Sequence, residues 1–246
     1  MRTTPKYLRD PQTPPPSTPQ QICNQLLGEL KKEESGSRHT AILKLGNLLT
    51  SKAFSFSKDL KGKFVNAVLN CFDDQNLKVR LAAIYQSSVI FELGVLHKKI
   101  VDRLLDKSGD GNPEVRATVA EVLGLILCCI NLTNPDEIIK NKIVKKLIDL
   151  TKDEDPKVRE RAVQGFGNIS NINPDLAKKA LIVLLKAFCD EAPEVRKEAM
   201  AQLDVVNTLG GESRGYITTE ELTKYVKNIP DKSYRNQVAK TLDVYP

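Results

Sequence analysis

The chain has 246 residues, 41% hydrophobic and 28% charged, the composition of a folded globular protein. Aromatics make up 5% and Trp is absent, so the core must come from Leu, Ile, Val and Ala, as in helices packed on helices. The formal charge of +6 is 37 basic residues diluted by 31 acidic ones, a weaker excess than a dedicated nucleic-acid binder concentrates.

The first residues hold Pro5, Pro11, Pro14, Pro15, Pro16 and Pro19 among polar side chains, so residues 1–19 are expected to form a disordered, Pro-rich leader. Two P-x-x-P spacings and Thr-Pro pairs at Thr4, Thr13 and Thr18 would suit an SH3-type ligand or a proline-directed kinase. A flexible leader is the simpler reading. No apolar signal-peptide core is present, and the longest apolar run, 122–130, is too short to cross a bilayer. Membrane insertion is not expected.

From residue 20 to 208 apolar residues recur at helical spacing in five units, about 20–50, 58–93, 95–131, 135–170 and 174–208. The first carries Arg38, with Ala41 three residues on and Gly46 eight on. The next four share a turn that runs from Asp to Val-Arg: Asp74 to Arg80, Asp110 to Arg116, Asp153 to Arg159, and Asp190 to Arg196. Three of these turns place Pro two residues before the Val (Pro113, Pro156, Pro193). Three residues after each Arg comes Ala83, Val119, Ala162 or Ala199, small enough for two helices to approach closely. Pro suits the first turn of a second helix, because its missing N–H would have no partner there and its φ is already helical. The run Val122–Ile130 is apolar on every side, which predicts a helix buried on both flanks. After a glycine-rich loop at 210–215, Thr218 and Glu221 form a candidate capping box that opens a last hairpin, 216–246, expected to cap the array.

The period of about 40 residues and the Asp, Pro, Val-Arg turn resemble the HEAT repeat. The resemblance is clear over 58–208 and fainter over 20–244. It implies an all-α fold, a right-handed α-α superhelix (a HEAT/ARM-like solenoid) of about five to six helical hairpins. Asp74, Arg80, Asp110, Arg116, Asp153, Arg159, Asp190 and Arg196 then read as a structural ladder, each bonding to another or to a neighbouring turn. HEAT arrays serve as scaffolds and adaptors, and their second helices line a concave surface. The expected function is therefore binding another protein, with no catalysis. Offsets of two, five and nine from the Arg select Tyr85, Glu121, Arg161, Gln164, Asn168 and Glu198 as the exposed face. This set is mixed in charge and has no Lys/Arg ladder, so it suits a protein better than a phosphate backbone. A nucleic-acid-associated array is the alternative. HEAT-like chromophore lyases, which attach bilins, are a more distant resemblance.

Other chemistry lacks its residues. The stretch from Asp106 has the oxygen donors of a calcium loop but ends on Ala117, where a bidentate Glu is needed. His39 and His97 have no partner at metal-ligand spacing, and no nucleotide-binding glycine loop occurs. No cofactor or metal is expected. Five cysteines (Cys23, Cys71, Cys128, Cys129, Cys189) without a C-x-x-C predict reduced, buried thiols in a cytoplasmic or nuclear protein.

Overall fold

The computed structural model describes residues 18–51, 55–92, 94–133, 137–167, 174–209 and 217–244. These form helices only: α1 (Pro19–Glu29), α2 (Ser35–Thr50), α3 (Lys58–Asn70), α4 (Leu77–Phe91), α5 (His97–Lys107), α6 (Pro113–Thr133), α7 (Glu137–Leu150), α8 (Pro156–Gly167), α9 (Pro174–Ala187), α10 (Pro193–Leu209), α11 (Thr219–Lys227) and α12 (Lys232–Thr241). Consecutive helices pair into hairpins. The odd-numbered member of each is the A helix and the even-numbered member the B helix.

Local chemistry sets where each B helix begins. In the four central turns the Asp carboxylate folds back on the backbone: Asp74, Asp110, Asp153 and Asp190 accept from the N–H of Asn76, Asn112, Asp155 and Ala192, at 2.9–3.0 Å. Asn76, Asn112 and Asp155 then cap the helix, accepting from Lys78, Glu114 and Lys157 N–H at 3.0, 2.8 and 2.8 Å. Pro113, Pro156 and Pro193 are the first residues of α6, α8 and α10. Helix α1 starts inside the stretch expected to be leader: Thr18 accepts from Gln21 N–H, the Gln21 side chain returns the bond, and Pro19 follows. The reciprocal box of Thr218 and Glu221, both bonds 3.1 Å, opens α11.

Packing builds the stack. Ala41, Ala83, Val119, Ala162 and Ala199 are all buried, together with Phe64, Phe72, Phe91, Phe166 and Phe188. From α2 to α10 each B helix packs on its neighbouring B helices far more extensively than the A helices pack on one another. Glycine permits this approach: a Cβ on Gly124 of α6 would lie 2.7 Å from the Gly165 Cα of α8. A row of closely spaced B helices beside a looser row of A helices bends the stack toward the B side, which becomes its inner face. The last hairpin joins the array through α9 and α10, with Tyr234 against Phe188 at 5.8 Å between ring centroids.

Helix α6 is buried on both flanks, between α4 and α8, as its sequence predicts; Leu125 is half-buried and Cys128 exposed on the inner face, which no further layer covers. One expectation needs correction: the thiols are not uniformly buried. Cys23 and Cys71 are buried, Cys129 is half-buried, and Cys128 and Cys189 are exposed.

Candidate partner-binding surface

The turn between A and B helices organises one edge of the array. Arg38 grips Asp74 of the next hairpin through Nε and Nη2, at 2.7 and 2.8 Å. Arg116 holds Asp153 at 2.8 and 2.8 Å, and Arg159 holds Asp190 at 2.8 and 2.9 Å, in the same two-pronged geometry. The remaining Nη1 donates to carbonyls of the arginine's own turn, such as Asp110 O at 3.0 Å for Arg116 and Asp153 O at 2.9 Å for Arg159. These ties hold the carboxyls of Asp74, Asp153 and Asp190 below the usual carboxylate range. At Asp74 the hydrogen bond from Arg38 is the main cause. At Asp153 and Asp190 burial pushes upward, and the arginine and backbone N–H bonds together overcome it.

One rung is open although both of its residues are present. Arg80 donates to Asp74 O and Gln75 O of its own turn, at 2.8 and 3.2 Å, but makes no ion pair with Asp110. Its Nε is buried without a hydrogen-bond partner. Asp110 instead lies 3.6 Å from Lys107, which also pairs with Asp73 at 2.7 Å. The B helices differ here too. Elsewhere a glycine eight residues after the Arg faces the residue at offset six on the next B helix, as in Gly46 with Gln86, Gly124 with Gly165 and Gly167 with Gln202. At this junction the equivalent residues are Ser88 and Val122, both bulkier than the Gly124–Gly165 pair. The ladder ends at Arg196, whose Nε is likewise buried and unpartnered. The place six residues before Arg235, where an Asp would stand, holds the buried Ile229.

The inner face divides the residues that the offsets select. Arg161 lies 3.6 Å from Glu121 and donates to Gln164 Oε1 at 2.8 Å, so three of the six satisfy one another across α6 and α8. Glu121 and Arg161 border a groove of about 350 Å³ shared with Thr118 and Lys157. Glu198 accepts from Gln202 of its own helix at 2.7 Å. Asn168 lies outside the described residues. Tyr85 is different: it is 48% exposed, in a chain that keeps most of its large apolar side chains inside. Its counterpart on α2 is Leu43, 40% exposed and five residues after Arg38. Gln86, next to Tyr85, lies against Gly46, one turn on from Leu43, so the two exposed side chains flank the same junction. Ala82 and Val89, both half-buried, share the Tyr85 stripe of α4. Leu43 escaped selection because the first hairpin lacks the Asp and Pro of the repeat turn, yet the same offset from Arg38 lands on it.

His97 has a structural role. His97 Nε2 lies 2.8 Å from Phe91 O, and its ring stacks on Phe91 at 4.1 Å. The stretch that resembled a calcium loop is the turn before α6, with Asp110 bonded to its own backbone. Among the described residues, no helix is long and apolar enough to cross a membrane.

The family model of the sister chromatid cohesion protein PDS5 matches residues 15–239. No curated protein sequence matches the chain. Solved structures share the fold. The N-terminal domain of MAST/Orbit superposes with a TM-score of 0.59 at 13% identity, covering 89% of this chain and 95% of that one. A designed armadillo repeat protein in complex with the peptide (KR)4 gives 0.57 at 18%, covering 89% and 97%. One chain of the complex of CpcE and CpcF of phycocyanin lyase from Nostoc sp. PCC7120 gives 0.56 at 21%, covering 74% and 97%. At these identities the likeness is one of fold. The chain is an armadillo/HEAT-like α-solenoid.

Proposed function

Because the chain belongs to the sister chromatid cohesion protein PDS5 family, we propose that it is a protein-binding scaffold of that process, holding its partner against the inner row of B helices. The observation that carries this reading is the exposed pair Leu43 and Tyr85 on adjacent B helices. Large apolar side chains left in water at equivalent places of neighbouring repeats suit a docked partner, and Tyr is enriched among residues that dominate binding energy. A solenoid offers such places at regular intervals, as in the designed armadillo protein that binds the peptide (KR)4. The role contains no catalytic step, and the family's process would place the protein at chromosomes.

The test uses the full chain immobilised in wild-type and Tyr85→Ala forms, exposed to nuclear extract at about 0.15 M and about 0.5 M salt, with and without nuclease. The bound proteins are then cross-linked and the contacts mapped by mass spectrometry. The expected result is a defined protein that survives nuclease, contacts α2 and α4, and is lost with Tyr85→Ala. Retention that vanishes with nuclease and falls steeply with salt would replace this reading with a nucleic-acid one.

A further inference from the structure

The charge around Tyr85 specifies more than an apolar contact. Helices α2 and α4 contain no acidic residue, whereas α6, α8 and α10 each contain at least one. Lys78 stands exposed in the first turn of α4, where the helix dipole is positive and an acidic residue would be favoured. Its counterpart on α8, Lys157, is neutralised by Glu160 at 2.7 Å. Among the described residues, no carboxylate lies within ion-pair distance of Lys78. The same holds for Arg80, two residues on, whose rung to Asp110 is open. The start of α4 therefore carries two cations and a helix N-terminus, and the one carboxylate of its turn that acts on Arg80, Asp74, is already held by Arg38. Lys78, Ala82, Tyr85 and Val89 follow at helical spacing on one stripe, so this positive end runs directly into the apolar patch.

We propose that this stripe, with Leu43 on α2, binds an acidic peptide segment of a partner protein, one that carries an aliphatic or aromatic anchor beside its carboxylates. The anchor packs between Leu43 and Tyr85, and a carboxylate meets Lys78. Crossing two or three B helices spaced about 10 Å apart takes about eight extended residues. A nucleic acid fits less well. The stripe itself has one cation, Lys78, and its middle is apolar, so it cannot track a phosphate backbone. This inference rests on the scaffold reading and narrows it to one chemistry.

The test is fluorescence anisotropy on the full chain with three labelled probes: a peptide of repeating Leu-Asp-Glu, one of repeating Leu-Lys-Arg, and single-stranded DNA of similar length. The acidic peptide is expected to bind. Tyr85→Ala and Lys78→Glu should each weaken it by about tenfold, while unfolding midpoints stay at the wild-type value because both side chains are exposed. Only the Lys78→Glu loss should shrink as salt rises. Equal or tighter binding of the basic peptide would overturn the proposed charge preference and leave the scaffold reading intact. Binding of DNA that displaces the acidic peptide and ignores Tyr85→Ala would overturn both. If no peptide binds, the inference falls while the capture experiment still decides the scaffold reading.

Discussion

Arg116 and Asp153 belong to consecutive hairpins and are joined by two parallel hydrogen bonds of 2.8 Å, both side chains nearly out of contact with water. Asp153 also accepts from Asp155 N–H in its own turn, so one carboxylate shapes a turn and fastens it to the neighbouring repeat. Asp153→Asn breaks a charge-assisted pair and leaves the Arg116 guanidinium only the exposed Glu154, at 3.3 Å, as a counter-ion. It should lower the unfolding free energy by about 2 kcal/mol. Asp110→Asn keeps an oxygen for its own turn and loses no rung, so its cost should stay below about 1 kcal/mol. Urea midpoints of the two variants measure the difference, and equal losses would contradict the open rung.

Acid should loosen the same joints. Asp74, Asp153 and Asp190 have folded-state pKa values below the unfolded value, so the unfolded chain binds their protons more tightly. The stability they contribute is fully present above about pH 4 and is lost as pH falls toward the lowered values. The urea midpoint of the wild type should therefore drop below about pH 4, and more steeply than that of Asp153→Asn, which has one such carboxyl fewer.

Glycine to alanine should have opposite effects at two helical positions. A Cβ on Gly62 in α3 meets nothing within 4 Å, so Gly62→Ala should stabilise by up to about 1 kcal/mol through helix propensity. A Cβ on Gly124 would sit 2.7 Å from the Gly165 backbone, and backbone cannot swing aside as a side chain does. Gly124→Ala should destabilise by about 1–3 kcal/mol despite the same propensity gain. Thermal unfolding of both variants checks the pair.

Thiol labelling reads the inner face directly. Cys128 is exposed on the α6 stripe that holds Glu121 and Leu125, whereas Cys23 is fully buried. Cys71 is pushed up to about 11 by burial. Cys129 reaches about 11 through burial and, secondarily, Glu92. At about pH 8, a thiol reagent should modify Cys128 and Cys189 first, and Cys23 and Cys71 only as the chain unfolds. A partner seated on the inner face should slow labelling at Cys128 and leave Cys189, in the turn before α10, unchanged.

The hairpins were legible because their signals are local. Asp, cap residue and Pro act within one turn, so four copies of Asp-to-Val-Arg predict four turns of one geometry. The register between repeats was less so. Arg80 and Asp110 match the repeat as well as any pair, yet their separation depends on Lys107 and Asp73 and on Ser88 standing where other junctions have glycine. No pattern within one turn reports that. The surface failed for a similar reason. Offsets from the Arg correctly bring Tyr85 into the open, but they cannot show that Glu121, Arg161 and Gln164 turn toward one another. The exposure of Leu43 was readable only by trusting the most degenerate repeat.

The two ends of the ladder bear on how molecules meet in concentrated solution. Arg196 keeps a buried Nε without a partner, and the last hairpin, which joins the array through α9 and α10, sets Ile229 where the next aspartate would stand. The equivalent place in the first hairpin, six residues before Arg38, is Lys32. Lys32 pairs with Glu29 at 2.7 Å, so neither end of the ladder offers an aspartate to an arginine of another molecule. A head-to-tail contact of this kind does not close on itself and would otherwise grow into a fibre. Lys32 and Ile229 thus leave the rungs nowhere to continue from one molecule to the next.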